Sequence, residues 1–127
     1  MDDTAYNRGN SPLHNKSYAF AIRIVNMVKY IDCPHKMISL TNQIFRSGTA
    51  IGALVREAEF AQSSSDFINK LHIALKECNE TIYWLNLLHD TDFISDIEFE
   101  SIAKDSKELL ALLISSIKTA KKRNIKP

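Results

Sequence analysis

Apolar residues along this chain recur three and four positions apart, and no stretch alternates apolar with polar residues as a half-buried strand would. The pattern predicts four helices. The first runs from about Ser17, as N-cap, to Cys33, with Pro34 as its stop. Its apolar positions form two rows: Tyr18, Ile22 and Val25, then Phe20, Ile24, Met27 and Ile31. That stripe is wider than one neighbouring helix covers. The second helix runs from about Lys36 to Ala61 on Met37, Leu40, Ile44, Ile51, Leu54, Val55 and Ala58. The third runs from about Asp66 to His89, capped from Ser63 or Ser65. Its Phe67, Leu71, Ala74, Cys78, Leu85 and Leu88 follow a four-three spacing, with Thr81 in the one polar slot. The fourth opens on Ser95-Asp96-Ile97-Glu98, a capping box, and continues through Phe99, Ile102, Leu109, Leu110, Leu113 and Ile117 to about Arg123.

Short connections between long helices favour antiparallel neighbours, so the expected fold is all-α, an up-down-up-down four-helix bundle. A chain of 127 residues, 45% of them hydrophobic, supports one such domain, and 3 Gly and 3 Pro leave little for turn-rich architectures. The expected organisation is a flexible arm over residues 1–16, the bundle over 17–123 and a basic tail over 124–127. Gly48 and Gly52 interrupt the second helix, where each costs up to ~1 kcal/mol relative to Ala. Four apart, they make a flat strip for close helix packing, and Arg46 and Arg56 around them mark it as a soluble surface.

Folding the second helix on the third about a turn near Gln62 and Ser63 brings Arg46 opposite Glu77 and Glu80. The expectation is an ion network that fixes helix register, with Arg46 partly buried. The same topology sorts charge along the bundle. One end collects Lys16, Arg56, Lys70, Lys118, Lys121, Lys122, Arg123 and Lys126 against Glu57, Glu59 and Asp66. The other collects Asp32, Asp90, Asp92, Asp96, Glu98 and Glu100 against Lys36. A net charge of +1 therefore hides a polar molecule. Acids early in the fourth helix and bases late in it partly match the helix dipole, but the Lys118–Lys126 run exceeds what capping requires.

The chemistry of a catalyst is missing. No glutamate is followed three residues later by histidine, as di-metal bundles require, and His14, His35, His72 and His89 are scattered. No metal site and no cofactor are expected. No Gly-rich phosphate loop or Walker motif occurs, and Ser47 lies inside a helix without a suitably spaced base. Cys33 and Cys78 stand singly and read as reduced, small apolar residues. Tyr83 and Trp84 read as packing residues rather than a base-stacking pair. Without a signal segment or a membrane-length apolar run, the expected location is the cytoplasm.

The residues from Phe45 to Ala53 (FRSGTAIGA), with Glu57-Ala58, continue into Ser65-Asp66-Phe67-Ile68, Lys70-Leu71, Ala74, Lys76-Glu77, Glu80-Thr81 and Tyr83-Trp84-Leu85. This long, fixed-spacing pattern resembles the four-helix-bundle proteins encoded in intervening sequences of bacterial 23S ribosomal RNA genes, also called S23 ribosomal proteins. The resemblance covers roughly Ser17 to Lys122, and Tyr18 and Phe20 match the family's aromatic first helix. It implies a ring-like homo-oligomer, a pentamer. A related branch, the accessory variability determinant of diversity-generating retroelements, is a strongly basic pentamer that binds a reverse transcriptase and its RNA. This chain departs from that branch in being nearly neutral, although five copies of its tail would concentrate positive charge on one face.

The expected function is therefore that of a non-enzymatic oligomer. Lys16, Arg56, Lys118, Lys121, Lys122, Arg123 and Lys126 would contact the phosphates of RNA or DNA without reading sequence. RNA is favoured over DNA, and a reverse transcriptase or another protein is a further partner implied by the resemblance. The alternative is a protein-interaction scaffold with no nucleic-acid affinity.

Overall fold

A computed structural model describes residues 11–125. It contains four α-helices, and no strand occurs among the described residues: α1 (Pro12–Tyr30), α2 (Ile38–Glu59), α3 (Ser64–Asp90) and α4 (Asp96–Ile125). A single 3-10 turn, His35–Met37, leads into α2.

The first helix begins earlier than its apolar rows predict. Ser11 is the N-cap, its hydroxyl accepting from the His14 amide at 3.0 Å, and Pro12 occupies the first turn. Proline suits that position because its ring presets a helical φ and its missing N–H would be unsatisfied there anyway. The extra turn buries Leu13. Residues 11–16 thus belong to the bundle, and 1–10 lie outside the described residues. Ser17, expected as the cap, is instead buried one turn inside and donates its hydroxyl to the His14 carbonyl. The helix also ends sooner, with Ile31 already extended as C-cap (ψ 121) and its amide still bonded to Met27. At the other end of the chain, α4 runs on to Ile125, so the tail expected to begin at residue 124 starts as helix.

Two junctions follow their sequence signals closely. Ser63 caps α3 by accepting from the Asp66 amide at 3.1 Å. Ser95 accepts from the Glu98 amide at 3.2 Å and donates its hydroxyl to the Glu98 carboxylate at 3.1 Å. Between them, α3 closes through Asp92, whose φ of 67° is left-handed. There the Phe93 amide reaches back to Leu88 at 2.9 Å and the Asp92 amide to His89 at 3.1 Å, the two-bond closure of a Schellman turn.

Side-chain contacts tie the helices together at several levels. Ser47 meets Thr81 while Glu57 meets Lys70. Lys16 meets Glu108 while Arg23 meets Asp105. Ile24 lies against Gly48 and Ser17 against Gly52. The core comprises Phe20 and Ile24 from α1, Ile44, Ile51 and Val55 from α2, Leu71, Ala74, Cys78, Leu85 and Leu88 from α3, and Ile102, Leu109, Leu113 and Ile117 from α4.

A thin polar layer crosses that core. The Thr81 hydroxyl lies 2.7 Å from the Glu77 carbonyl and 3.0 Å from the Ser47 hydroxyl. Its single proton goes to the carbonyl, so Ser47 donates to Thr81. Cys78 meets the Ser106 carbonyl at 3.6 Å, and burial pushes its thiol up to about 12, leaving it protonated and unreactive.

Candidate functional site

The glycine strip works as a docking groove for α1. A Cβ on Gly48 would lie 2.7 Å from Cγ1 of the fully buried Ile24, and one on Gly52 would lie 3.2 Å from the backbone oxygen of Ser17. Glycine at these two places lets α1 approach the α2 backbone.

Arg46 reaches both expected carboxylates. One guanidinium nitrogen donates to both oxygens of Glu77 at 3.2 Å, and the other donates to Glu80 at 2.7 Å. Trp84 donates its indole N–H to the same Glu80 oxygen at 3.2 Å. That bond first, and Arg46 after it, holds the Glu80 carboxyl below its ordinary range. The expected burial of Arg46 is not found, since its side chain is 53% exposed. A guanidinium on a long stem snorkels to the rim while its partners sit on the flank of α3. The network is a surface device, and its worth is that of an exposed pair. Tyr83 packs edge-on against Trp84 at 4.9 Å but is itself largely exposed.

The start of α1, the end of α2, the start of α3 and the end of α4 meet at one end of the bundle, where their residues line shared concavities. Here two of the three acids, Glu57 and Glu59, are engaged, while the Asp66 carboxylate has no partner among the described residues. Glu57 pairs with Lys70 at 3.4 Å, and Glu59 lies 2.9 Å from the His14 ring. In contrast, Arg56, Lys118, Lys121, Lys122 and Arg123 are exposed, and no ion pair or hydrogen bond of their side chains occurs among the described residues. Lys118, Lys121 and Lys122 share one face of α4 by their spacing. Lys16 differs from this group: it pairs with Glu108 at 2.9 Å on the side of the bundle. Lys126 lies outside the described residues.

At the opposite end, His89 touches Asp96 at 2.6 Å and Asp90 at 3.3 Å, and its ring stacks on Phe99 at 4.1 Å. The hydrogen bond to Asp96, with both carboxylate charges, raises its pKa above the ordinary histidine value. This clamp joins the end of α3 to the start of α4. Sequence reading missed it, although a histidine one residue before an acid and seven before another, across a short turn, is a legible signal.

The outer row of α1 is left without a partner inside the chain: Tyr18 is 66% and Ile22 46% exposed. Phe45 on α2 is also exposed. Among the described residues no cluster of His, Cys, Asp and Glu is placed to hold a metal, and no helix is long and apolar enough to cross a membrane.

Residues 10–115 match the model of the family described as 23S rRNA-intervening sequence protein. Among solved structures, the chain is similar to a protein of unknown function from the S23 ribosomal protein family of Bacteroides thetaiotaomicron. The two are 56% identical, superpose with a TM-score of 0.79, and the match covers 84% of this chain and 98% of the other. No curated protein matches the chain.

Proposed function

The chain belongs to the 23S rRNA-intervening sequence protein family, and on that premise we propose that it is a non-enzymatic oligomer whose basic end binds nucleic acid, RNA in preference to DNA, without reading sequence. The observation that carries this reading is the contrast in pairing at that end. Glu57 and Glu59 are engaged by Lys70 and His14, while Arg56, Lys118, Lys121, Lys122 and Arg123 stand exposed without a protein partner among the described residues. Unpaired cations on a rigid helix end supply a positive field to phosphates at no cost in broken ion pairs. Contacts of this kind hold the backbone in register and carry no base information.

Opposed helix pairing supports an antiparallel up-down-up-down bundle as the subunit. The outward row of Tyr18 and Ile22 supports assembly, because a run of large apolar side chains on one helix face is commonly an interface. Assembly into a pentameric ring would set five copies of the α4 end side by side and raise the effective affinity for a polyanion. A reverse transcriptase or an rRNA-associated complex is the partner class that this reading favours, in the cytoplasm.

The test is fluorescence anisotropy of labelled structured RNA and duplex DNA titrated with the protein at about 50 and 200 mM salt. The reading requires binding at the lower salt that weakens steeply at the higher. Flat titrations at the lower salt would replace it with a protein-interaction scaffold.

A further inference from the structure

Three concavities adjoin at the basic end, and Phe67 is a wall of all of them. The largest, about 490 Å³, lies between the α2–α3 turn and the last turns of α4. Its walls are Ala58, Ala61, Phe67 and Ala120, with Ser63, Ser64 and Arg123 completing the lining. A second, about 250 Å³, continues along α4 past Ser116 and Thr119 and shares Phe67, Ala120 and Arg123. The volume is that of a small-molecule site. Its chemistry is mixed: an aromatic ring, small apolar side chains, hydroxyls that both donate and accept, and one cation.

We infer that this cavity receives an unstacked nucleobase of a single strand, which stacks on Phe67 while Arg123 holds an adjacent phosphate. The inference rests on the phosphate-binding reading of the same end and gives it a substrate class: single-stranded segments rather than uninterrupted duplex. Two features support a base over a purely apolar occupant. Arg123, itself exposed, lines both the larger cavity and its continuation along α4 and supplies a cation for the phosphate beside the inserted base. Ser63, Ser64, Ser116 and Thr119 offer hydroxyls that suit any base edge, so stacking would not impose a sequence.

Anisotropy with the full-length protein at ~50 mM salt tests this with four probes: an oligouridylate, an oligodeoxyuridylate of equal length, an abasic strand of that length and a blunt RNA duplex. The wild-type chain should bind both base-bearing strands about tenfold more tightly than the abasic strand, the scale of one stacked base. Phe67→Leu and Ala120→Phe, the second filling the cavity from α4 and leaving Phe67 in place, should each remove that advantage and leave duplex affinity unchanged. Preference for the uridylate over the deoxyuridylate would add 2′-hydroxyl contact, and equal binding would confine recognition to base and phosphate. Equal affinity for the abasic and base-bearing strands, or variants that weaken all probes alike, would overturn the cavity's role while leaving the basic end intact. No binding of any probe would overturn both.

Discussion

A methyl group on Gly48 would sit 2.7 Å from Cγ1 of Ile24, a side chain with no exposed surface. Ile24 is β-branched and stiff, so it cannot swing aside cheaply. Gly48→Ala gains up to ~1 kcal/mol of helix propensity but overpacks the α1–α2 contact at a cost of about 1–3 kcal/mol. The expected outcome is net destabilisation, read as a lower midpoint in urea with an unchanged slope. A stabilised variant would mean that α1 rides further from α2 than this contact implies.

Arg46 and Glu80 hold each other at the surface, with Trp84 donating to the same carboxylate. A double-mutant cycle on Arg46→Ala and Glu80→Gln should give a coupling of roughly 0.2–1 kcal/mol. A value of several kcal/mol would indicate the buried pair that the sequence suggested. Because the folded Glu80 carboxyl is depressed, its stabilisation is present above the unfolded carboxylate pKa and fades as pH falls through the lower folded value. Trp84→Phe should narrow that acid window.

His89 works in the opposite direction. Its folded pKa lies above its unfolded one, so its stabilisation is full below the unfolded value and is lost as pH rises through the folded value. Stability should decline from mildly acidic pH to above neutrality by an amount that His89→Gln abolishes. Asp96→Asn should remove most of the same pH dependence, since Asp96 is the larger cause of the shift. Retention of the full dependence in both variants would place it elsewhere.

Tyr18 and Ile22 stand outward on α1 without a partner in their own chain. Tyr18→Asp with Ile22→Asp should leave helicity intact, because exposed positions tolerate change, while reducing the native mass by light scattering to that of a monomer. An unchanged mass would move the interface to another face.

Much of this architecture is legible because helical period and capping act locally. The four-three row of α3 and the Ser95 capping box need no tertiary knowledge, and the fixed opposition of Arg46 to Glu77 and Glu80 follows from the turn position alone. The misreadings have equally physical causes. The polar stretch before Ser17 hid a Ser-Pro helix start, whose cap and first-turn proline outweigh the lack of periodicity and bury Leu13. The position of Arg46 between helices predicts partial burial, but a long side chain carries its charge outward. The cavity around Phe67 depends on how four helix ends splay, which no one-dimensional pattern encodes.

Phosphate binding by the exposed cations at the end of α4 is read from the salt dependence of RNA affinity, for the wild-type chain and for a variant with Lys118, Lys121, Lys122 and Arg123 all replaced by Ala. Each phosphate contact contributes close to one unit of slope in log affinity against log salt. The wild-type slope should be steep and should flatten by several units in the variant, with a large loss of affinity at low salt and an unchanged native mass. Equal slopes and affinities for the two proteins would rule this binding out.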